Sequence, residues 1–189
     1  IAKGYRKLPS PVQSGISNFI GNLKLPLVIV NQILQGQGKN AFESSGRFVV
    51  NSTAGLFGLI DVAEKIGLEQ KQEDFGQTLA TWGFGDGFYL VLPIFGPSNV
   101  RDTTGMFLTY TTDPINAYAI REGEAWFVPL RTATNAVDQR SKIIDEVNAL
   151  RDNSLDYYAA VRSSYYQNRK AAILNEDDNA QTPMPLISI

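Results

Sequence analysis

The stretch that decides the reading is Phe75-Gly76-Gln77-Thr78-Leu79, then Trp82-Gly83-Phe84-Gly85-Asp86-Gly87-Phe88-Tyr89, then Leu90-Val91-Leu92-Pro93-Ile94-Phe95-Gly96-Pro97-Ser98, ending at Arg101-Asp102. Glycine and proline interrupt it too often for one long helix. It predicts a short helix over 73–81, an aromatic loop and a brief extended piece. A new helix is expected to start near Ser98, whose side chain suits an N-cap. Gly83, Gly85 and Gly87 invite comparison with nucleotide-binding loops. The Lys-Ser/Thr of a P-loop is missing, however, and no strand precedes them. The segment reads instead as a flexible interfacial loop, because Trp82, Phe84, Phe88 and Tyr89 interleave with the glycines. Trp and Tyr favour boundaries where one end of the ring is apolar and the other wet.

Upstream of this stretch the pattern is helical. Val12, Ile16, Phe19, Ile20 and Leu23 recur at helix spacing, with Ser10 as the expected N-cap and Pro11 at the first helical position. Pro26 is expected to start a second apolar helix through Leu27, Val30, Ile33 and Leu34, stopped by Gly36 and Gly38. A third helix is expected over 39–54, carrying Phe42, Phe48 and Val49. It ends in small residues (Ser52, Thr53, Ala54, Gly55, Gly58) that allow close backbone approach. A short helix over Leu59–Lys65 is stopped by Gly67.

Downstream, Ala133, Val137, Ile144 and Val147 predict one long helix from Glu124 to Leu150. A last helix over 154–173 carries Leu155, Tyr158, Arg162, Tyr165 and Arg169 on one face. Residues 175–189, acidic and with two prolines, read as a flexible tail. The expected fold is one all-α domain over 1–174 followed by that tail.

The bulk composition narrows the function. The 189 residues are 43% apolar and 19% charged, the latter below the roughly 25% usual for soluble domains. Net charge is −2, so no basic excess exists to neutralise nucleic-acid phosphates. The chain has no Cys and no His, which excludes thiol chemistry, histidine-ligated zinc and Ser-His-Asp triads within it. No apolar run approaches the roughly 20 residues needed to span a bilayer as a helix.

Carboxylates offer little catalytic geometry. Asp145/Glu146 read as a solvated helix face, and Glu176/Asp177/Asp178 as part of the tail. Asp86 reads as a turn residue, and Asp102 beside Arg101 as a helix-dipole partner. A hydrolase working through Asp61, Asp86 or Asp102 has no support in the spacing, so no catalytic, metal or cofactor site is expected. Arg131 follows the apolar run Trp126-Phe127-Val128-Pro129-Leu130. It reads either as a solvated side chain that snorkels or as a cation on a polar path, placed to meet a lipid phosphate. The Tyr/Arg face of the last helix likewise has two readings: internal packing, or a surface that docks a partner.

Three ordered motifs resemble the MlaA (also called VacJ) family of outer-membrane lipoproteins. The first is Gly15-Ile16-Ser17-Asn18-Phe19-x-x-Asn22-Leu23-x-x-Pro26. The second is Arg47-Phe48-x-x-Asn51-Ser52-x-x-Gly55-x-x-Gly58-x-x-Asp61-x-Ala63. The third is the opening stretch, with Phe75, Gly76, Pro93, Gly96, Arg101 and Asp102 as its marks. Asp156-Tyr157-Tyr158, Arg162, Tyr165 and Arg169 extend the likeness to about residue 170.

The resemblance implies amphipathic helices in a ring around a central amphipathic channel, in the inner leaflet of the Gram-negative outer membrane. It implies a non-enzymatic protein that removes misplaced phospholipid from the outer leaflet, passes it to a soluble periplasmic carrier and associates with a trimeric porin. Trp82, Phe84, Phe88, Tyr89 and Arg131 are then candidates for the lipid path, and Tyr158, Arg162, Tyr165 and Arg169 for partner docking. The alternative is an envelope docking protein that binds porin or carrier without conducting lipid. The family's lipidated Cys and the Asn/Phe-rich segment after it do not occur in this sequence. The chain is therefore expected to be a processed or trimmed product of a lipid-anchored protein.

Overall fold

The computed structural model describes residues 1–93 and 95–175. Helices dominate: α1 (Ala2–Tyr5), α2 (Ser10–Leu34), α3 (Gly38–Thr53), α4 (Val62–Lys65), α5 (Phe75–Thr81), α6 (Val100–Thr112), α7 (Pro114–Arg121), α8 (Phe127–Lys142), α9 (Ile144–Asn153) and α10 (Tyr157–Leu174). Strands β1 (Tyr89–Leu92) and β2 (Gly96–Asn99) form one antiparallel hairpin between α5 and α6, with Tyr89 opposite Asn99 and Leu92 opposite Gly96. The expected extended piece is thus paired. Pro97 is tolerated because a two-stranded sheet is all edge. The expected tail lies outside the described residues, apart from Asn175.

Short polar side chains cap half of the described helices, each accepting from orphan backbone N–H groups. Asp61 caps α4, Asp74 caps α5, Asp113 caps α7 and Asp156 caps α10. Asn99, one residue past the expected Ser98, caps α6 by accepting from the Asp102 N–H at 2.7 Å. Ser98 instead ends in β2, its hydroxyl 3.0 Å from that of Thr103. At the start of α2 the capping position falls on Pro9 rather than Ser10, and no side chain caps it.

Two expected boundaries moved. Pro26 does not start a helix; α2 runs straight through it. Proline has no N–H for the carbonyl four residues back, that of Asn22. The next carbonyl, that of Leu23, accepts from Arg131 Nη2 at 2.9 Å, so a side chain from α8 supports the helix at its weakest turn. The long helix expected over 124–150 is two helices, broken at Ile143. The break buries Ile143 and Val147 together, with Leu150 and Val161 packed against this small cluster, and Ile144 is buried as well. It also places Asp145 and Glu146 in a first turn, where the helix dipole favours acids.

The distribution of polarity is unusual. Among the described residues, buried polar and charged side chains outnumber buried apolar ones. Large apolar side chains meanwhile face outward along several helices: Phe42 and Val49 on α3, Ile33 on α2, Phe107 on α6 and Tyr118 on α7. A water-soluble domain buries its apolar side chains and exposes charges. Broad exposed apolar surface marks a site of contact with a membrane or a partner. Among the described residues, no helix is long and apolar enough to cross a membrane.

Candidate functional site: a charged interior cavity

Two buried ionic clusters brace the frame, and the sequence motifs fall on them. Arg47 and Asn51 are one turn apart on α3. Arg47 donates to the Asp61 carboxylate and to the Leu68 carbonyl. Asn51 donates to Asp61 at 3.0 Å and accepts from the Val62 and Ala63 N–H groups at 2.9 Å each. The second motif is therefore a clamp that joins α3 to α4. Asn22 donates to Ser52 at 3.0 Å and Asn18 donates to the Leu59 carbonyl at 3.3 Å, tying α2 to the same corner.

The third motif builds the other cluster. Arg169 on α10 donates through both terminal nitrogens to Asp74, at 2.7 Å each, and reaches Asp102 at 3.0 Å. Tyr165 donates to Asp102, and Arg101 bonds both Asp102 and Asp86. Burial alone would raise the Asp74 carboxyl, but the Arg169 guanidinium and backbone donors hold it below the usual carboxylate range. Burial works against the Arg169 charge too, yet Asp74 and Asp102 hold it firmly protonated. Burial and the neighbouring Asp102 push the Tyr165 hydroxyl upward.

Asp74, Asp102, Tyr165 and Arg169 of this second cluster line a cavity of about 1120 Å³. Residues of α2, α5, the hairpin, α6, α8 and α10 all contribute to its wall. One face of α8 supplies Arg131, Asn135, Asp138 and Lys142, spaced at i, i+4, i+7 and i+11. One face of α2 supplies Ser17, Gly21, Lys24 and Val28 at the same spacing. Arg131 donates to Asp113 at 2.7 Å and to Asn116 at 3.1 Å. Lys142 donates to Ser17 and pairs with Asp138 at 2.9 Å. A volume of this size holds a polar headgroup and ordered water, and its wall is amphipathic: apolar side chains such as Leu25, Val28, Met106, Ile143 and Val161 line it together with the charged ones.

The expected lipid-path residues divide. Arg131 and Tyr89 line the cavity. Trp82, Phe84 and Phe88 do not; they stand on the outer surface, Phe88 with 82% of its area exposed. The reason is local. Gly83 and Gly87 take positive φ, and the loop they shape turns its rings away from the polar wall. Trp82 is fixed there by its indole N–H, which donates to the Leu34 carbonyl at 3.1 Å.

The expected docking residues divide as well. Tyr165 and Arg169 are 4% and 6% exposed and are committed to Asp102 and Asp74, so they do not form an outward surface. Arg162 lies over the Tyr89 ring, 5.6 Å from its centre, yet it and Tyr158 both remain exposed. Among the other motif positions, Phe75 opens α5, half-buried. Gly76 is buried against Arg169 and Asp102, where a Cβ would collide. Pro93 lies in the hairpin turn and Gly96 opens β2 with φ of +83°.

Sequence reasoning missed Lys24, Asp74, Asp113, Asn135, Asp138 and Lys142. The available signal was a polar stripe at helix spacing along α8, but on its own such a stripe reads as a solvated face.

A helical frame with a charged interior and an apolar exterior defines a class: a protein that works at a lipid surface while keeping a polar compartment inside. The comparisons name the family. The family model described as "MlaA lipoprotein" matches residues 1–172, and the chain belongs to that family. An uncharacterized protein of Rickettsia bellii is 36% identical over 187 residues, covering 98% of this chain and 71% of that protein. The intermembrane phospholipid transport system lipoprotein MlaA of Haemophilus influenzae is 33% identical over 88% of this chain and 66% of its own length. The Escherichia coli protein of the same name is 32% identical over 85% of this chain and 62% of its own length. A solved structure described as the structural basis for maintenance of bacterial outer membrane lipid asymmetry matches with a TM-score of 0.79 at 32% identity. It covers 91% of this chain and 85% of the other.

Proposed function

We propose that this protein gives phospholipid a route out of the outer leaflet of a bacterial outer membrane and delivers it to a soluble periplasmic carrier, without breaking a bond. The observation that carries the reading is the inverted polarity: a charged cavity of about 1120 Å³ inside helices that turn Phe42, Val49, Phe107 and Trp82 outward. A headgroup crossing hydrocarbon needs a polar path, whereas its tails need none. On this reading the helices lie along the membrane with their apolar sides in lipid. They ring the cavity, and Arg131 lies on the headgroup's path. The same proposal includes a porin that seats the protein and a lipid anchor in the native form.

The test is made in cells that lack their own copy. The native-length protein is expected to restore low outer-leaflet phospholipid. Arg131→Gln, whose amide can still donate to Asp113, is expected to fail to restore it at a membrane level equal to that of the unmutated protein, and Arg131→Glu, which sets a carboxylate against buried Asp113, to fail as well. Full restoration by Arg131→Gln would remove that residue from the path, and failure of the unmutated protein would remove the reading.

A further inference from the structure

Charge is matched by charge along most of the cavity wall. Arg169 stands with Asp74 and Asp102, Arg131 with Asp113, and Lys142 with Asp138, while Asp138 and Asp74 act on Lys24. The same wall also holds neutral groups that lack such a match. Neither polar atom of the Asn168 carboxamide has a hydrogen-bond partner, nor has Gln77 Oε1, nor the Tyr89 hydroxyl. Asn168 and Gln77 are 6% and 4% exposed, so two polar side chains more than nine-tenths buried line the cavity. They flank one ion pair. Asn168 precedes Arg169, and the Gln77 N–H donates at 2.9 Å to Asp74, the carboxylate that Arg169 grips. Tyr89 packs on Tyr165, one turn before Asn168, with ring centres 5.9 Å apart.

Resting on the reading above, we propose that Asn168, Gln77 and Tyr89 form a subsite for the hydroxyls of a polyol lipid headgroup, of the glycerol kind. Bonding capacity decides the class. The Asn168 carboxamide both donates and accepts, Gln77 Oε1 accepts, and the Tyr89 hydroxyl does either. Vicinal hydroxyls also donate and accept, so they match the whole set. A phosphate diester only accepts and an ammonium only donates, so either leaves part of the set unpaired. An ammonium would also meet the guanidinium of Arg169, held in place by two carboxylates. A headgroup without hydroxyls displaces water from these atoms and returns no bond, whereas a polyol returns the bonds it displaces.

The full chain, titrated calorimetrically, tests this with four probes: dihexanoyl phosphatidylglycerol, dihexanoyl phosphatidylmethanol, dihexanoyl phosphatidylethanolamine and glycerophosphoglycerol. The phosphatidylglycerol is expected to bind about tenfold more tightly than the phosphatidylmethanol, which has the same charge and no hydroxyl, and more tightly than the other two. Asn168→Leu and Gln77→Met each remove a carboxamide at similar volume. Both should bring phosphatidylglycerol down to the level of phosphatidylmethanol and leave phosphatidylmethanol itself unaffected. Asn168 gives up no internal bond, so Asn168→Leu should melt no lower than the unmutated chain. Equal binding of phosphatidylglycerol and phosphatidylmethanol by the unmutated chain, or a preference retained in both folded variants, would overturn the assignment while leaving the proposed function standing. Phosphatidylethanolamine binding as tightly as phosphatidylglycerol would overturn it in favour of an ammonium site, and glycerophosphoglycerol doing so would overturn it in favour of a free polyol. Binding of no lipid by the unmutated chain would overturn both this assignment and the proposed function.

Discussion

Gly105 of α6 lies directly against Gly76 of α5: a Cβ on Gly105 would stand 2.4 Å from the Gly76 backbone nitrogen. Backbone cannot move aside as a side chain can, so the two helices touch only because Gly105 carries no Cβ; a Cβ on Gly76 would instead collide with Arg169 and Asp102. The contact brings Asp74, at the head of α5, and Asp102, in the first turn of α6, within reach of one arginine.

Gly105→Ala is therefore expected to cost about 3 kcal/mol or more, at the upper end of overpacking effects, and Gly76→Ala to be comparably damaging. Gly4→Ala, where nothing lies within 4 Å, serves as the neutral control. Chemical denaturation of the three variants measures this. Stability of Gly105→Ala within 0.5 kcal/mol of the unmutated chain, a limit on the order of ordinary surface substitutions, would refute the close contact.

Arg169→Met should destabilise by about 3–5 kcal/mol, because it leaves Asp74 and Asp102 buried without their shared counter-ion. The acid limb of a stability profile adds a sign. The Asp74 carboxyl is held below its usual 3.8, so the unfolded chain binds the proton first. Its contribution is present above that value and is lost as pH falls further, through the folded-state value. In Arg169→Met that part of the acid slope should vanish.

Lys24 predicts the opposite limb. Its ammonium is lowered from 10.5 to about 7, so between those values the unfolded chain holds a proton that the folded chain has released. Folding stability should rise with pH across that window and level off above it. Lys24→Gln should flatten the rise. The groups acting on it are Arg131, Lys142, Asp138 and Asp74, so the profile is to be compared with that of Arg131→Gln.

Phe84 and Phe88 stand exposed beyond the cavity. If they meet lipid, replacing both with Ser should reduce flotation with phosphatidylglycerol/phosphatidylethanolamine vesicles and leave the melting temperature unchanged. Burying two such rings contributes on the order of 3–6 kcal/mol of transfer free energy. Undiminished flotation would show that the loop does not enter the membrane.

Helix types and most boundaries were legible, because period and punctuation are local properties. Pro26 and Ile143 were misread for one reason: each was decided by a partner distant in sequence. Arg131 supports the turn before Pro26, and the Val161 packing rewards a break at Ile143. The site followed the same logic. Tyr165 and Arg169 share a helix face, as the spacing predicts, but whether that face points outward depends on Asp74 and Asp102, far away in the chain. Lys24 was invisible because a single lysine at the end of an amphipathic pattern looks like any solvated lysine.

The inverted polarity has a mechanical consequence. In an ordinary domain an empty space is costly, since its apolar walls gain by meeting, and the fold tends to close it. Here the walls set Lys24, Arg131, Asp138 and Lys142 among the apolar side chains, and these charged groups would lose water if the walls met. The opening is thus held apart by the hydration of its charged lining, much as a wet sponge resists being wrung dry, and the Arg169 clamp on Asp74 and Asp102 in its wall need only set its width.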